Sequence, residues 1–185
     1  VCPGGGYAMT SDREAEPVAF HFLNSGFNVA IVRYSVGADA VHPAPLVDLS
    51  KALRIIRENH EKYFIDPDKI AVCGFSAGGH LVAMLGVHWN DPTVMELSGC
   101  SNEENKPNAL ILGYPVISAD FSFTHAGSIV NNSGLSEVEF TEEKRNYFSC
   151  EKNVGPHTPP TFIVHTRKDQ CVPVNNALVF TNALC

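Results

Sequence analysis

The segment VCGFSAGGHL, residues 72 to 81, places a serine between glycines where an apolar run changes into a helix-like one. Gly74-Phe75-Ser76-Ala77-Gly78 fits G-x-S-x-G, the pattern that mounts a nucleophilic serine on a sharp turn between a strand and a helix. A serine hydroxyl needs a base to accept its proton, usually a histidine that a carboxylate orients. The pattern therefore predicts acyl transfer at Ser76 and raises the question of which histidine serves it.

The serine pattern alone is weak, because a turn in which Ser76 only caps the next helix would look the same. Residues 3–7 (PGGGY) support the chemical interpretation, since they follow the expected end of a strand. Glycine lets backbone amides approach a developing oxyanion closely. We therefore predict an oxyanion hole formed by the amides of Gly5, Gly6 and Ala77, although three glycines would equally suit a flexible turn.

A third segment, residues 165–173 (HTRKDQCVP), leaves the end of an apolar run as a polar loop. In open α/β sheets, functional residues lie beyond the carboxyl ends of the strands. Asp169 in this loop follows Ser76, in the chain order Ser…Asp…His known for serine enzymes built on such a sheet. We predict that Asp169 orients the base, although a residue that only caps its own loop would look the same.

The remaining pattern alternates short apolar runs with segments of helical period, which predicts a parallel sheet covered by helices. Strands are expected at 27–34, 69–73, 109–113 and 161–165, and helices at about 13–24, 45–63, 77–89, 136–148 and 173–184. Ser11 and Glu14 have the spacing of a capping box. The segments 90–107 and 121–134 are expected to be irregular. We predict a three-layer α/β/α sandwich with a mostly parallel sheet, incomplete at both ends, spanning 1–185 as a single domain.

Composition narrows the classes of partner. The formal net charge of −7 argues against a nucleic-acid partner, because phosphate binding needs a clustered basic face. No apolar run is long enough to cross a bilayer, so we expect no membrane partner. The six cysteines are spread singly without a C-x-x-C pair, which predicts free thiols, a cytoplasmic location and no metal site. No pattern in the chain indicates an oligomeric state.

Taken together, the motifs resemble the α/β-hydrolase superfamily, and within it the esterases and lipases related to hormone-sensitive lipase and bacterial acetyl-xylan esterases. Four motifs carry the resemblance: PGGGY at 3–7, GFSAGGH at 74–80, LGYPV at 112–116 and HTRKDQCVP at 165–173. The glycine motif of this group often opens with histidine, where this chain has Pro3. The resemblance implies hydrolysis of small carboxylic esters with short acyl groups, such as acetyl on a carbohydrate. It also implies a serine acyl-enzyme that needs no cofactor.

The catalytic histidine of this group follows the aspartate, on a loop after one further strand, but no histidine follows His165 in this chain. His80 lies one turn beyond Ser76 on the expected helix, and we interpret it as structural. We assign none of the eight histidines as the base. We expect the base beyond Cys185 and further strands before Val1, so that the chain is an internal piece of a longer hydrolase.

Two alternatives stay open. A serine peptidase of the prolyl-oligopeptidase type shares the fold and the order of the triad, although the chain contains no propeller-like repeats. A non-catalytic relative would keep the scaffold without the base. A histidine-bearing loop downstream would support the enzyme, and the lack of one would support the scaffold.

Overall fold

The computed structural model describes all of residues 1–185 and contains a three-stranded parallel sheet. Its strands are β1 (Ala71–Phe75), β2 (Ala109–Gly113) and β3 (Thr161–Val164), in the spatial order β1-β2-β3. The parallel register, with Ala71 opposite Ala109, puts the three carboxyl ends at the same edge of the sheet. On the other side of β1, Cys2 forms a parallel bridge with Gly74.

Helices flank this sheet. They are α1 (Glu16–Asn24), α2 (Ala44–Glu58), α3 (His60–Tyr63), α4 (Ser76–His88), α5 (Pro92–Ser98), α6 (Ala126–Ser133), α7 (Glu142–Phe148) and α8 (Asn175–Leu184). Short 3-10 turns occupy Asp12–Glu14, Gly37–Asp39, Glu137–Glu139 and Cys150–Lys152. The central helix α4 is buried from Ala77 to Val87 and packs on β1 and β2. None of the helices is long and apolar enough to span a bilayer.

The architecture confirms the expected α/β sandwich with a parallel sheet, and the sandwich is incomplete. Successive strand residues point to opposite faces of a sheet. On β3, Ile163 packs against the core, whereas Phe162 and Val164 on the opposite face are 64% and 53% exposed. The helices therefore leave part of that face of β3 uncovered.

Most elements lie where the apolar pattern predicts them. The strand expected at 109–113 is β2 itself, β3 ends one residue early, and β1 lies two residues later than expected. Leu46, Leu49 and Leu53 are buried along α2, as their helical spacing predicts. The helix expected over 45–63 divides at Asn59 into α2 and α3, and the helix expected over 136–148 divides into a 3-10 turn and α7.

The prediction of a buried strand at 27–34 is wrong. The segment is joined to Val1 by two main-chain hydrogen bonds, from the Val1 ammonium to Ala30 O (2.7 Å) and from Val32 N to Val1 O (2.9 Å). Bonds to a single residue do not make a ladder, which needs successive pairs along both strands. Only Tyr34 of this run is buried. The apolar composition indicated an extended segment but not a paired one.

The two segments expected to be irregular each contain a helix, α5 within 90–107 and α6 within 121–134. The Asp91 side chain accepts the amides of Thr93 and Val94 and so caps the start of α5. Gly134, with a φ of 70°, ends α6. These helices have 7 and 8 residues, too few for an apolar period to stand out, so their end residues are the stronger signal.

The capping box expected at Ser11 and Glu14 does not form. The Ser11 side chain makes no cap hydrogen bond, and α1 begins only at Glu16. The Glu14 carboxylate turns instead toward the glycine-rich segment, where its amide partner is Gly4. A tertiary contact therefore takes the side chain that the local spacing assigns to the helix.

The six cysteines are free thiols, and only Cys171 and Cys185 are exposed. Cys73 is 5% exposed in the middle of β1, which confirms its interpretation as a small core residue. Burial raises the pKa of Cys73 to about 11, so this thiol stays protonated near neutral pH.

The first turn of α4 lies directly on the main chain of the segment that precedes the glycines. A Cβ on Gly78 would fall on the carbonyl oxygens of Cys2 and Pro3. A Cβ on Gly74 would meet the carbonyl of Gly78 and, at 2.7 Å, a methyl of Val82. Glycine at both positions therefore allows backbone contact between α4, β1 and residues 2–3.

Gly78→Ala is expected to lower the free energy of unfolding by about 1–3 kcal/mol, because the new methyl group meets main-chain atoms that cannot rotate away. Gly86→Ala is the matched control in the same helix, since its Cβ would meet the Leu110 side chain, which has rotamer freedom. Alanine also favours the helix by roughly 0.5–1 kcal/mol over glycine. Urea unfolding measures both variants, and equal losses would contradict the steric account.

A carboxylate is buried where the Cys150–Lys152 turn packs beside the segment after β2. Glu151 Oε1 accepts the Ser118 hydroxyl at 2.8 Å, and Oε2 is buried without a hydrogen-bond partner. Burial therefore raises the pKa of Glu151 above its ordinary value. The folded protein retains this proton at a pH at which the unfolded chain has lost it.

The stabilising effect of the Glu151 proton is present below the unfolded pKa and is lost as pH rises through the folded one. Glu151→Gln has no proton to lose and keeps an oxygen for Ser118. We expect its free energy of unfolding to increase relative to wild type as pH rises from the ordinary glutamate pKa, about 4.3, through the raised folded pKa.

Glu139→Gln is the control of opposite sign, because the Ser136 hydrogen bonds lower the pKa of Glu139. This variant should lose stability relative to wild type as pH rises from the lowered folded pKa to the ordinary glutamate pKa of about 4.3, and the difference should stay constant at higher pH. Urea unfolding at several pH values tests both, and identical pH profiles for the three proteins would refute the assignment.

Candidate active site

Ser76 occupies the turn between β1 and α4, as the G-x-S-x-G pattern predicts. Its φ of 51° lies in the left-handed region, which is strained for a residue with a Cβ. The carbonyl of Ser76 accepts the Val116 amide at 3.1 Å, which ties the turn to the segment after β2. The side chain is half-buried. The turn therefore presents the serine at the carboxyl edge of the sheet.

The glycine loop, residues 3–7, is anchored through its carbonyl groups. These accept hydrogen bonds from Tyr34 Oη to Pro3 (2.6 Å), Ser11 N to Gly4 (2.8 Å), Ala8 N to Gly5 (3.1 Å), Asn131 Nδ2 to Gly6 (2.8 Å) and Gly37 N to Tyr7 (2.8 Å). By contrast, the amides of Gly5 and Gly6 donate to no group of the protein. Their φ angles of 127° and 66° are ones that glycine adopts without strain. The loop therefore keeps two amides available to an anion.

The glycine loop lies against the serine turn. A Cβ on Gly4 would be 2.9 Å from Ser76 Cβ and 2.8 Å from the carbonyl oxygen of Phe75. Ala77 is buried in the first turn of α4, where amides have no intrahelical acceptor and carry the positive end of the helix dipole. The structure thus brings the glycine loop, Ser76 and Ala77 together.

Asp169 lies in the loop that follows β3. Its Oδ1 accepts the amides of Cys171 and Val172, both at 2.9 Å, so the side chain does cap its own loop. Its Oδ2 has no hydrogen bond and lies 3.7 Å from His165 Nε2, which itself donates to Val172 O at 2.8 Å. The side chain is 19% exposed. One carboxylate oxygen is therefore held by the loop, and the other is available to a further donor.

The structure does not bring Ser76 and Asp169 into contact. They follow β1 and β3, and β2 lies between these strands, so two strand spacings of roughly 10 Å in total separate them. Tyr114, which follows β2 with a φ of 36°, stands in the interval and donates its amide to Val164 O at 2.7 Å. Only a group that reaches both side chains, such as an imidazole, can couple them.

His80 is structural, as expected. It is fully buried, its Nε2 donates to Phe148 O at 3.1 Å, and its Nδ1 accepts the Tyr7 hydroxyl at 2.9 Å. The tautomer follows because a carbonyl oxygen can only accept. Burial lowers the pKa of His80 to about 4, so the ring is neutral with both nitrogens engaged. It is not available to take a proton from Ser76.

The other histidines are engaged elsewhere or lie on peripheral helices. Their ring nitrogens pair as His42 with Tyr147 Oη (3.1 Å), His88 with Tyr147 O (3.1 Å), His125 with Ser128 Oγ (2.9 Å), His157 with Val87 O (3.0 Å) and His165 with Val172 O (2.8 Å). Burial also lowers the pKa of His42 to about 4. His21 lies on α1 and His60 on α3. None of these hydrogen bonds involves Ser76.

Sequence reasoning missed two side chains that contact the site. Glu14 Oε2 accepts the Gly4 amide at 2.8 Å, and Glu14 Oε1 accepts the Tyr114 hydroxyl at 2.9 Å. For Tyr114 the signal was its place in LGYPV, directly after a strand. For Glu14 the chain offers no such signal, because its partners lie 10 and 100 residues away.

Two surface cavities lie away from these residues. One, of about 580 Å³, is lined by the segment around Tyr34 and by α2 residues such as Asp48. The other, of about 510 Å³, is lined by Asn108 and Pro160, which precede β2 and β3, and so lies at the amino ends of the strands. Neither cavity includes Ser76 or Asp169.

Comparison with known proteins places this geometry in a family. The BD-FAE family model matches residues 1–184. Endo-1,4-beta-xylanase B of Butyrivibrio fibrisolvens is 41% identical over 192 residues, which cover 100% of this chain and 29% of that protein. The acetylxylan esterase of Xylanibacter ruminicola is 32% identical over 185 residues, which cover 98% of this chain and 36% of that protein. The chain thus spans about a third of the length of these two relatives, 29% and 36%.

Solved structures agree with the family match. The acetyl ester-xyloside bifunctional hydrolase from Caldicellulosiruptor lactoaceticus superposes with a TM-score of 0.83 at 39% identity, over 99% of this chain and 67% of that one. The carboxylesterase Cest-2923 from Lactobacillus plantarum superposes with a TM-score of 0.78 at 28% identity, over 99% of this chain and 64% of that one. The family model matches residues 1–184, and proteins named as esterases are among the relatives and structural neighbours. The chain therefore belongs to the BD-FAE family and has the α/β-hydrolase fold.

Proposed function

We propose that this chain carries the acyl-transfer machinery of a serine carboxylic ester hydrolase. The observation that best supports the proposal is the strained, left-handed Ser76 next to a loop whose Gly5 and Gly6 amides have no acceptor. A structural turn needs neither the strain nor the free donors. Strain of this kind is retained where the reaction requires the geometry.

In the proposed reaction, Ser76 Oγ attacks the acyl carbon of the ester and its proton passes to the base. The carbonyl oxygen becomes an oxyanion, which accepts hydrogen bonds from the amides of Gly5, Gly6 and Ala77. Collapse of this intermediate transfers the proton to the leaving alcohol and leaves the acyl group on Ser76. Water then releases the acid by the same steps, so no metal or organic cofactor is needed.

The base in this proposal is a histidine from outside the 185 residues, oriented by Asp169 Oδ2. Three features of the site favour this. The histidines with ring hydrogen bonds are paired away from Ser76, and one carboxylate oxygen of Asp169 has no donor. The interval between Ser76 and Asp169 also spans roughly two strand spacings, near 10 Å, which suits an intervening imidazole.

The substrate class proposed is a small ester with a short acyl group, and acetyl groups on xylan are the first candidate. The names of an acetylxylan esterase, a xylanase and an acetyl ester-xyloside hydrolase among the similar proteins support this choice. A non-catalytic scaffold is the competing outcome, and the variants below separate the two.

Ser76→Ala in the full-length gene product is expected to lower the rate of p-nitrophenyl acetate hydrolysis, and of acetate release from acetylated xylan, by at least about 10³-fold. Ser25→Ala, at the exposed end of α1, is the matched control and should leave both rates unchanged. If Ser76→Ala retains the wild-type rate, Ser76 is not the nucleophile. If the wild type itself shows no turnover, the scaffold interpretation is favoured.

Asp169→Asn is expected to lower kcat by about 10³- to 10⁴-fold, because an amide does not stabilise the imidazolium that forms during proton transfer. Asparagine retains an oxygen for the amides of Cys171 and Val172, so the loop should keep its shape. Asp68→Asn, exposed at the opposite end of the sheet, is the control. Steady-state kinetics with thermal unfolding as a fold check would detect the loss, and a kcat within twofold of wild type would disprove the role.

A further inference from the structure

Glu14 joins two parts of the candidate site that are far apart in the sequence. Its Oε2 accepts the Gly4 amide at 2.8 Å, and its Oε1 accepts the Tyr114 hydroxyl at 2.9 Å. Both carboxylate oxygens are thereby used, and neither bonds to the helix that follows. Helix capping therefore does not explain the position of this side chain.

The Glu14 carboxylate accepts the only hydrogen bond that a glycine amide of this loop donates to another group of the protein. Among Gly4, Gly5 and Gly6, only the Gly4 amide has an acceptor, and that acceptor is Glu14. A Cβ on Gly4 would lie 2.8 Å from Glu14 Oε2 and 2.9 Å from Ser76 Cβ, so Gly4 packs against both side chains. Because Gly5 and Gly6 follow directly in the chain, a shift of Gly4 displaces both free amides.

Tyr114 provides a rigid support for the other oxygen of Glu14. Its backbone is in the left-handed region at the carboxyl end of β2, and its amide is bonded to Val164 O. Its ring lies 5.6 Å from the Phe75 ring, centroid to centroid. Burial and the hydrogen bond to Glu14 raise the pKa of Tyr114, so its hydroxyl remains a donor across the neutral range.

We propose that Glu14 is a positioning residue that clamps the glycine loop to the carboxyl end of β2, so that the Gly5 and Gly6 amides face the oxygen of the reacting ester. The inference rests on the proposed esterase function. Oxyanion donors bind the transition state more strongly than the ground state. Loss of the clamp should therefore appear in kcat and leave KM nearly unchanged.

Steady-state hydrolysis of p-nitrophenyl acetate by the full-length gene product tests the clamp. Glu14→Ala should lower kcat by about 10- to 100-fold with KM within about twofold. Glu14→Gln should recover most of this loss, because its oxygen accepts from Gly4 and its nitrogen donates to the Tyr114 oxygen. Tyr114→Phe, which removes one arm, should fall between. The control is Glu16→Ala, which removes an exposed carboxylate that pairs with Arg33. Its kcat and KM should equal those of wild type.

Amide hydrogen exchange gives a second readout that needs no turnover. The amides of Ala8 and Ser11 bond to the carbonyls of Gly5 and Gly4, so their exchange rates report the order of the loop. Exchange should become faster in Glu14→Ala and in Tyr114→Phe and return toward wild type in Glu14→Gln. If Glu14→Ala does not fold, the exchange rates of Tyr114→Phe are compared with those of wild type instead.

A change in KM alone, or kcat and exchange rates equal to wild type in Glu14→Ala, would overturn the positioning role. If the wild-type gene product hydrolyses no ester, the proposed function fails separately. The exchange rates then still decide whether Glu14 orders the loop.

Discussion

Main-chain atoms of Cys2 and Pro3 lie in direct contact with Gly78 in the first turn of α4, and this contact sets the position of the glycine loop relative to Ser76. It places the start of the glycine loop beside the turn that carries Ser76, so two segments some seventy residues apart share one corner of the sheet. Close packing of this kind is possible only without a Cβ, and interiors at this density do not relax around an added methyl group. The glycines of the serine motif are thus required by packing as much as by chemistry.

Hydrogen bonds with buried partners hold what the packing brings together. Tyr7, which ends the glycine loop, donates to His80 on α4, and His80 donates in turn to the carbonyl of Phe148 at the end of α7. Helix α4 therefore carries Ser76 at its first residue and anchors the glycine loop through His80, one turn later. A buried neutral imidazole suits this task, because it offers one donor and one acceptor and leaves neither unsatisfied.

The buried strands were predictable because a strand covered on both faces is a short apolar run, whatever it pairs with. The run at 27–34 has the same composition, yet only Tyr34 in it is buried, and its long-range main-chain hydrogen bonds all go to Val1. Strand pairing depends on a neighbour that composition does not describe. The short helices α5 and α6 formed where no helix was expected. The sequence contains the residues that cap their ends, but the helices are too short for a helical repeat of apolar residues to be recognised.

The sequence by itself determined the local geometry: glycines at 74 and 78, where a side chain would meet the backbone, a serine between them, and an aspartate after an apolar strand. Each of these motifs lies within a few consecutive residues, so it can be recognised in the sequence without knowing its contacts. Only the tertiary structure decided which partners the polar side chains take. The Glu14 side chain does not cap a helix but accepts hydrogen bonds from Gly4 and Tyr114. The His80 ring does not bond to the nearby serine but to Tyr7 and Phe148. Such contacts join residues up to 100 positions apart, and folding selects them because a polar group buried without a partner is costly.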